Sequence, residues 1–171
     1  MKALVPILCL GLFQAVYADA FDDGVVAYEK GDYETAVQLW KPLAEQGDAA
    51  AQLNLGTMYE GGKGVAQDYK EAVMWYRRAA DQGYALAQFN LANLHVYGEG
   101  VSQDYIEAMK LYRMAAVRGL TRALHNLGWM YEKGLGVPKN EALAYDYYNL
   151  AASQGDKAAQ EALQRLAEEG Q

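Results

Sequence analysis

The 171-residue sequence predicts an all-α fold, a right-handed α-solenoid of antiparallel helix pairs behind a signal peptide. Three observations carry that prediction. The chain repeats itself every 36 residues without a gap, over residues 49–84, 85–120 and 121–156. Within each block the apolar positions recur at helical spacing. A Gly-x-Gly-Val turn, at Gly62, Gly98 and Gly134, then splits each block into two helices.

The repeat register is specific. Eleven of the 36 columns are identical in all three blocks: those of Ala51, Asn54, Leu55, Gly62, Gly64, Val65, Ala72, Tyr76, Ala79, Ala80 and Gly83. Ala51, Leu55, Met58 and Tyr59 follow the i, i+4, i+7, i+8 stripe of a packed first helix. Paired glycines then permit backbone angles that side chains forbid. The second helix carries Ala72, Tyr76, Ala79 and Ala80 on its inner side, with Asp68 and Asp104 placed to cap its free amides. Gly83, Gly119 and Gly155 suit the stop. Small alanine pairs allow close helix approach, and a tyrosine fills the gap each pair leaves. One pair cannot cover its apolar face, so the units must stack and curve around an inner surface.

Both ends depart from the pattern. Residues 21–48 form a shorter unit without the Gly-x-Gly-Val turn, and Pro42 is expected to end or kink its second helix. Residues 157–171 supply one capping helix that keeps Ala159 and Leu163 as core and turns Glu161, Gln164 and Arg165 outward. Residues 1–18 read as a signal peptide: Lys2, a short apolar run and small residues before a cleavage point after Ala18 or, second, after Ala20. The run is too short to span a bilayer, so no stable membrane insertion is expected after cleavage. Leu8 before Cys9 argues against lipidation. Cleavage removes the single cysteine and leaves 14 basic against 22 acidic residues, a charge of −8. The mature chain then has no disulfide, and a periplasmic or secreted location follows from the leader. The acid excess speaks against nucleic acid and against anionic membrane surfaces as partners.

The columns Ala-x-x-Asn-Leu-Gly-x-Met-Tyr (residues 51–59), Gly62-x-Gly64-Val65 and Trp75-Tyr76-Arg77-x-Ala79-Ala80 resemble the SEL-one-like repeat family, long-turn relatives of the tetratricopeptide repeat. The first unit, residues 21–48, is similar to a tetratricopeptide unit. Departures are small: Ala92 stands in a glycine column and His95 in a tyrosine column. The resemblance implies an adaptor for another protein, in envelope signalling, envelope assembly or host contact, and the chain is expected to be a monomer. A cysteine-rich branch of the family is linked to β-lactam binding and hydrolysis. The cysteine-free mature chain does not support carrying that activity over.

No residue set supports catalysis. Ser102 and Ser153 lack a lysine three residues on, and the glycine turns recur as architecture, so no cofactor or metal is expected. The positive signal lies in the variable columns of the first helices: Leu53/Phe89/His125, Thr57/Asn93/Trp129 and Glu60/Val96/Glu132. First helices of such pairs line the concave side, so Thr57, Glu60, Phe89, Asn93, Val96, His125, Trp129 and Glu132 are the expected partner-binding residues. Phe89 reads equally as a spacer between units, and Trp129, sharing a column with Thr57 and Asn93, reads as exposed. The same aromatics leave a second reading, a binder of an envelope glycan such as peptidoglycan, and a remote third, a cell-wall or β-lactam hydrolase.

Overall fold

The computed structural model describes residues 20–169, and residues 1–18, expected to be a signal peptide, lie outside them. Every regular element among the described residues is a helix. After α1 (20–29) come α2 (Tyr33–Glu45), α3 (Ala49–Gly61), α4 (Tyr69–Asp81), α5 (Ala85–Tyr97), α6 (Tyr105–Val117), α7 (Thr121–Lys133), α8 (Glu141–Ser153) and α9 (Lys157–Glu169). From α3 onward, first helices start at 49, 85 and 121 and second helices at 69, 105 and 141, so the 36-residue period of the sequence is also the period of the fold.

The boundaries have local causes. Asp68 Oδ1 accepts from the Lys70 and Glu71 amides, and Asp104 Oδ1 from those of Ile106 and Glu107, as their positions predict. Asn140 takes over in the third repeat, accepting from Leu143 N. Gly62, Gly98 and Gly134 close the first helices in the left-handed conformation, with φ of 62°, 71° and 69°. Gly64 is constrained twice: its φ is +68°, and a Cβ there would stand 2.4 Å from the Tyr33 carbonyl carbon. Pro42 does not end its helix, because α2 runs through it to Glu45. The ring sits in the last turn, where the amide it removes would have closed only one of the final helical bonds.

The helices belong to two compact units, the first ending at Arg78 and the second starting at Ala79. In the first unit Trp40 is 3% exposed at the centre of a cluster with Ala36, Leu43, Leu55 and Met58. Its indole N–H donates to Phe21 O at 3.2 Å, and Gly24 admits the ring because a Cβ would lie 2.4 Å from Nε1. In the second unit the repeated tyrosines are the deepest large side chains, with Tyr112 and Tyr148 each 1% exposed beside Ala115 and Ala151. The buried glutamines have a shared task. Gln52 Nε2 donates to Ala44 O at 3.0 Å and Gln88 Nε2 to Ala80 O at 3.1 Å, each satisfying a carbonyl at the end of the preceding second helix.

Candidate partner-binding site

Each unit has a cleft between neighbouring first helices. In the first unit a cavity of about 260 Å³ is lined by Val25 and Tyr28 of α1, Trp40, and Asn54 and Thr57 of α3. In the second unit a cavity of about 160 Å³ is lined by Phe89, Arg122, His125, Asn126, Asp156 and Ala158. Asn54 and Asn126 occupy the same repeat column, so an invariant amide faces a cleft in both units. The sequence carried that signal in its unbroken asparagine column, yet only the placement shows it at a cavity wall.

The second-unit cleft is built from side chains held by their neighbours. The Phe89 ring lies 5.6 Å from that of Tyr112, tilted by 53°, and His125 lies 5.3 Å from the ring of Tyr148. Asp156 Oδ1 accepts from Ala159 N at 2.8 Å, which caps α9 and fixes the carboxylate 3.7 Å from His125 Nδ1. That nitrogen is buried without a hydrogen bond among the described residues. Burial of such a group is costly unless a partner arrives, so the cleft offers an unsatisfied polar atom beside an aromatic wall. Arg122 is exposed at the mouth.

The other expected binding residues divide between surface and interior. Thr57 and Glu60 are half-buried in the first unit, where the Thr57 hydroxyl lies 3.1 Å from the Tyr76 hydroxyl and Tyr76 donates to Glu60. Asn93 is half-buried and accepts from the Tyr112 hydroxyl, which also meets Asn126. Val96 and Glu132, expected on a partner-facing surface, are only 3% and 5% exposed. Trp129, expected to be exposed, is half-buried and packs on the cluster of Leu124, Ala144, Tyr148 and Ala162. These columns differ in which member meets the hydroxyl of the buried tyrosine. Where the 96 position is apolar, Asn93 receives the hydroxyl. Where Trp129 cannot, Glu132 accepts from Tyr148 at 2.8 Å.

Glu132 is also bound by Arg165 Nη2 at 2.7 Å and Lys133 Nζ at 2.6 Å. Burial pushes its pKa up, but the three hydrogen bonds from Arg165, Lys133 and Tyr148 together outweigh it and bring the group from 4.5 down to about 2. Burial, reinforced by Glu132, raises the Tyr148 phenol. This cluster locks α9 onto the third repeat. Among the described residues no group of three or more acidic, histidine or cysteine side chains is placed to hold a metal, and no helix is long and apolar enough to cross a membrane.

The family model described as "Sel1 repeat" matches residues 13–48, 49–84, 85–119 and 121–156. A protective antigen of uropathogenic Escherichia coli with an SLR fold is similar at 36% identity and a TM-score of 0.82, over 88% of this chain and 33% of that one. A Sel1 repeat protein from Oxalobacter formigenes is similar at 41% identity and a TM-score of 0.80, over 88% of this chain and 63% of that one. The chain thus spans about a third of one relative and less than two thirds of the other. Cysteine-rich protein B of Helicobacter pylori shares the fold at 21% identity, with a TM-score of 0.60 over 77% of this chain and 95% of that one. No curated protein matches the sequence.

Proposed function

The chain belongs to the Sel1 repeat family, and we propose that it is an exported adaptor that binds a partner protein along its first helices. Proteins built of this repeat generally mediate protein–protein interaction and are typically non-catalytic scaffolds. The observation that carries the finer reading is the second-unit cleft, where Phe89, Asn126 and His125, whose Nδ1 makes no hydrogen bond among the described residues, stand together. An aromatic wall supplies desolvation, and an amide beside an unsatisfied imidazole can fix the backbone of an extended segment. The leader pattern in residues 1–18 supports export to the periplasm or beyond, where envelope or host proteins would be the partners.

The test is a cross-linking capture from the native envelope fraction with the processed protein and its Phe89→Ala and His125→Ala variants. One protein held by the wild type and released by both variants, with helicity unchanged, is the expected result. Equal capture by all three sinks the cleft assignment. Capture of a glycan in place of a protein would transfer the site to an envelope polymer. N-terminal sequencing of the exported chain, expected to start after Ala18 or Ala20, checks export; an unprocessed Met1 start overturns it.

A further inference from the structure

The second helices carry a surface of different chemistry. Between residues 108 and 131 the chain has Lys110, Arg113, Arg118 and Arg122 and no aspartate or glutamate, against a net charge of −7 for the whole sequence. Lys110 pairs with Glu107. Arg113 donates to the Tyr131 hydroxyl at 2.8 Å, and none of the three arginines has an acidic partner among the described residues.

Cavities flank α6 on both sides. One, of about 390 Å³, lies between the end of α4 and α6 and is walled by Gln88, Arg113, Met114, Val117 and Arg118, with Asp81 its one carboxylate. The other, of about 350 Å³, lies between α6 and α8 and is walled by Ala116, Val117, Leu124, Leu127 and Tyr147, with Arg113 at its edge. Val117, on the ridge between them, is 87% exposed, and Leu150, one turn from Tyr147 on α8, is 48% exposed. An apolar ridge with a groove on each side, rimmed by guanidinium groups that have no acidic partner among the described residues, is costly to leave bare on an otherwise acidic protein.

We infer that the α6 ridge and its two grooves form a second docking surface, one that takes an acidic amphipathic helix of a partner protein. Its leucine-type side chains would fill the grooves beside Val117, and its carboxylates would pair with Arg113 and Arg118 in bidentate contacts. Charge complementarity selects this occupant. A basic segment would meet the like charges of Arg113 and Arg118, whereas an acidic segment is otherwise repelled by the protein's net charge, so the patch directs it to one place. The surface is independent of the first-helix cleft, and together they would let one chain hold two partners.

The experiment titrates the processed protein into two labelled synthetic helical peptides with the same leucine stripe, one with glutamate and one with lysine at the remaining charged positions. Fluorescence anisotropy is expected to show saturable binding of the glutamate peptide alone, weakened at higher salt. Val117→Asp, which puts a carboxylate on the apolar ridge, and Arg118→Glu, which removes a charge-assisted contact, alter exposed residues, and each is expected to weaken binding about tenfold or more, with circular dichroism unchanged. Arg118→Glu should gain affinity for the lysine peptide. Absence of saturable binding, or binding in both variants equal to that of the wild type, overturns the proposal. A dimer in sedimentation that Val117→Asp dissociates would also overturn it, assigning the ridge to a second copy of the chain. Phe89→Ala, which leaves this surface intact, should bind the glutamate peptide as the wild type does.

Discussion

The second and third repeats bury the same tyrosine by different means. In the second, where Ala92 and Val96 are buried, Tyr112 gives its hydroxyl to Asn93. In the third, Tyr148 presses on Gly128, where a Cβ would lie 2.8 Å from the ring, and gives its hydroxyl to Glu132, itself tied to Arg165 of α9. One repeat satisfies a phenol with a neutral amide inside the pair. The other uses a carboxylate that also anchors the terminal helix. A repeat frame therefore conserves the need for a hydroxyl partner, and leaves open which column supplies it.

The largest effect is expected from Glu132→Val, which gives the third repeat the residue of the second without its Asn93. Tyr148 loses its acceptor and Arg165 its anion, at about 2–4 kcal/mol. Denaturant unfolding that shows less than about 1 kcal/mol would mean the cluster does not hold α9. Gly128→Ala should cost about 1–3 kcal/mol by pressing a methyl into the Tyr148 ring. The reciprocal Ala92→Gly should cost about 1 kcal/mol or less, chiefly by helix propensity. Equal losses in the two would show that the tyrosines pack alike and end the distinction.

Asn93→Leu is expected to cost about 1 kcal/mol, because Asn126 still meets the Tyr112 hydroxyl. The Glu132 cluster can also be read through pH. The folded-state pKa of Glu132 is depressed from 4.5 to about 2, so its contribution is present above pH 4.5 and is lost as pH falls toward 2. Glu132→Gln should flatten the stability profile over that window and leave the slope above pH 5 unchanged. A variant with the wild-type acid slope would place the acid sensitivity in another carboxylate.

The helix pairs were legible in the sequence because every column that builds them is local or periodic. Asp68 and Asp104 cap whatever helix follows them, and Tyr76, Tyr112 and Tyr148 recur at the depth their alanine neighbours leave. The candidate site was legible in part. Phe89 and His125 line a cleft, as variable residues on a first helix should. Val96, Trp129 and Glu132 varied for another reason: each accommodates or satisfies a tyrosine 16 or 19 positions away. A varied column at a cavity wall and a varied column beside a buried tyrosine look the same in the sequence.

The sequence by itself determined the family, the helical class, the 36-residue period, the caps and the glycine turns, because each follows from spacing along the chain and from the backbone freedom of single residues. Only the tertiary structure decided which polar side chains are already bonded and which face a cavity. That choice depends on distances between groups far apart in sequence, such as Arg165 to Glu132 at 2.7 Å and His125 to Asp156 at 3.7 Å. A hydrogen bond is made or lost within a few tenths of an ångström, and no period in the chain records that interval.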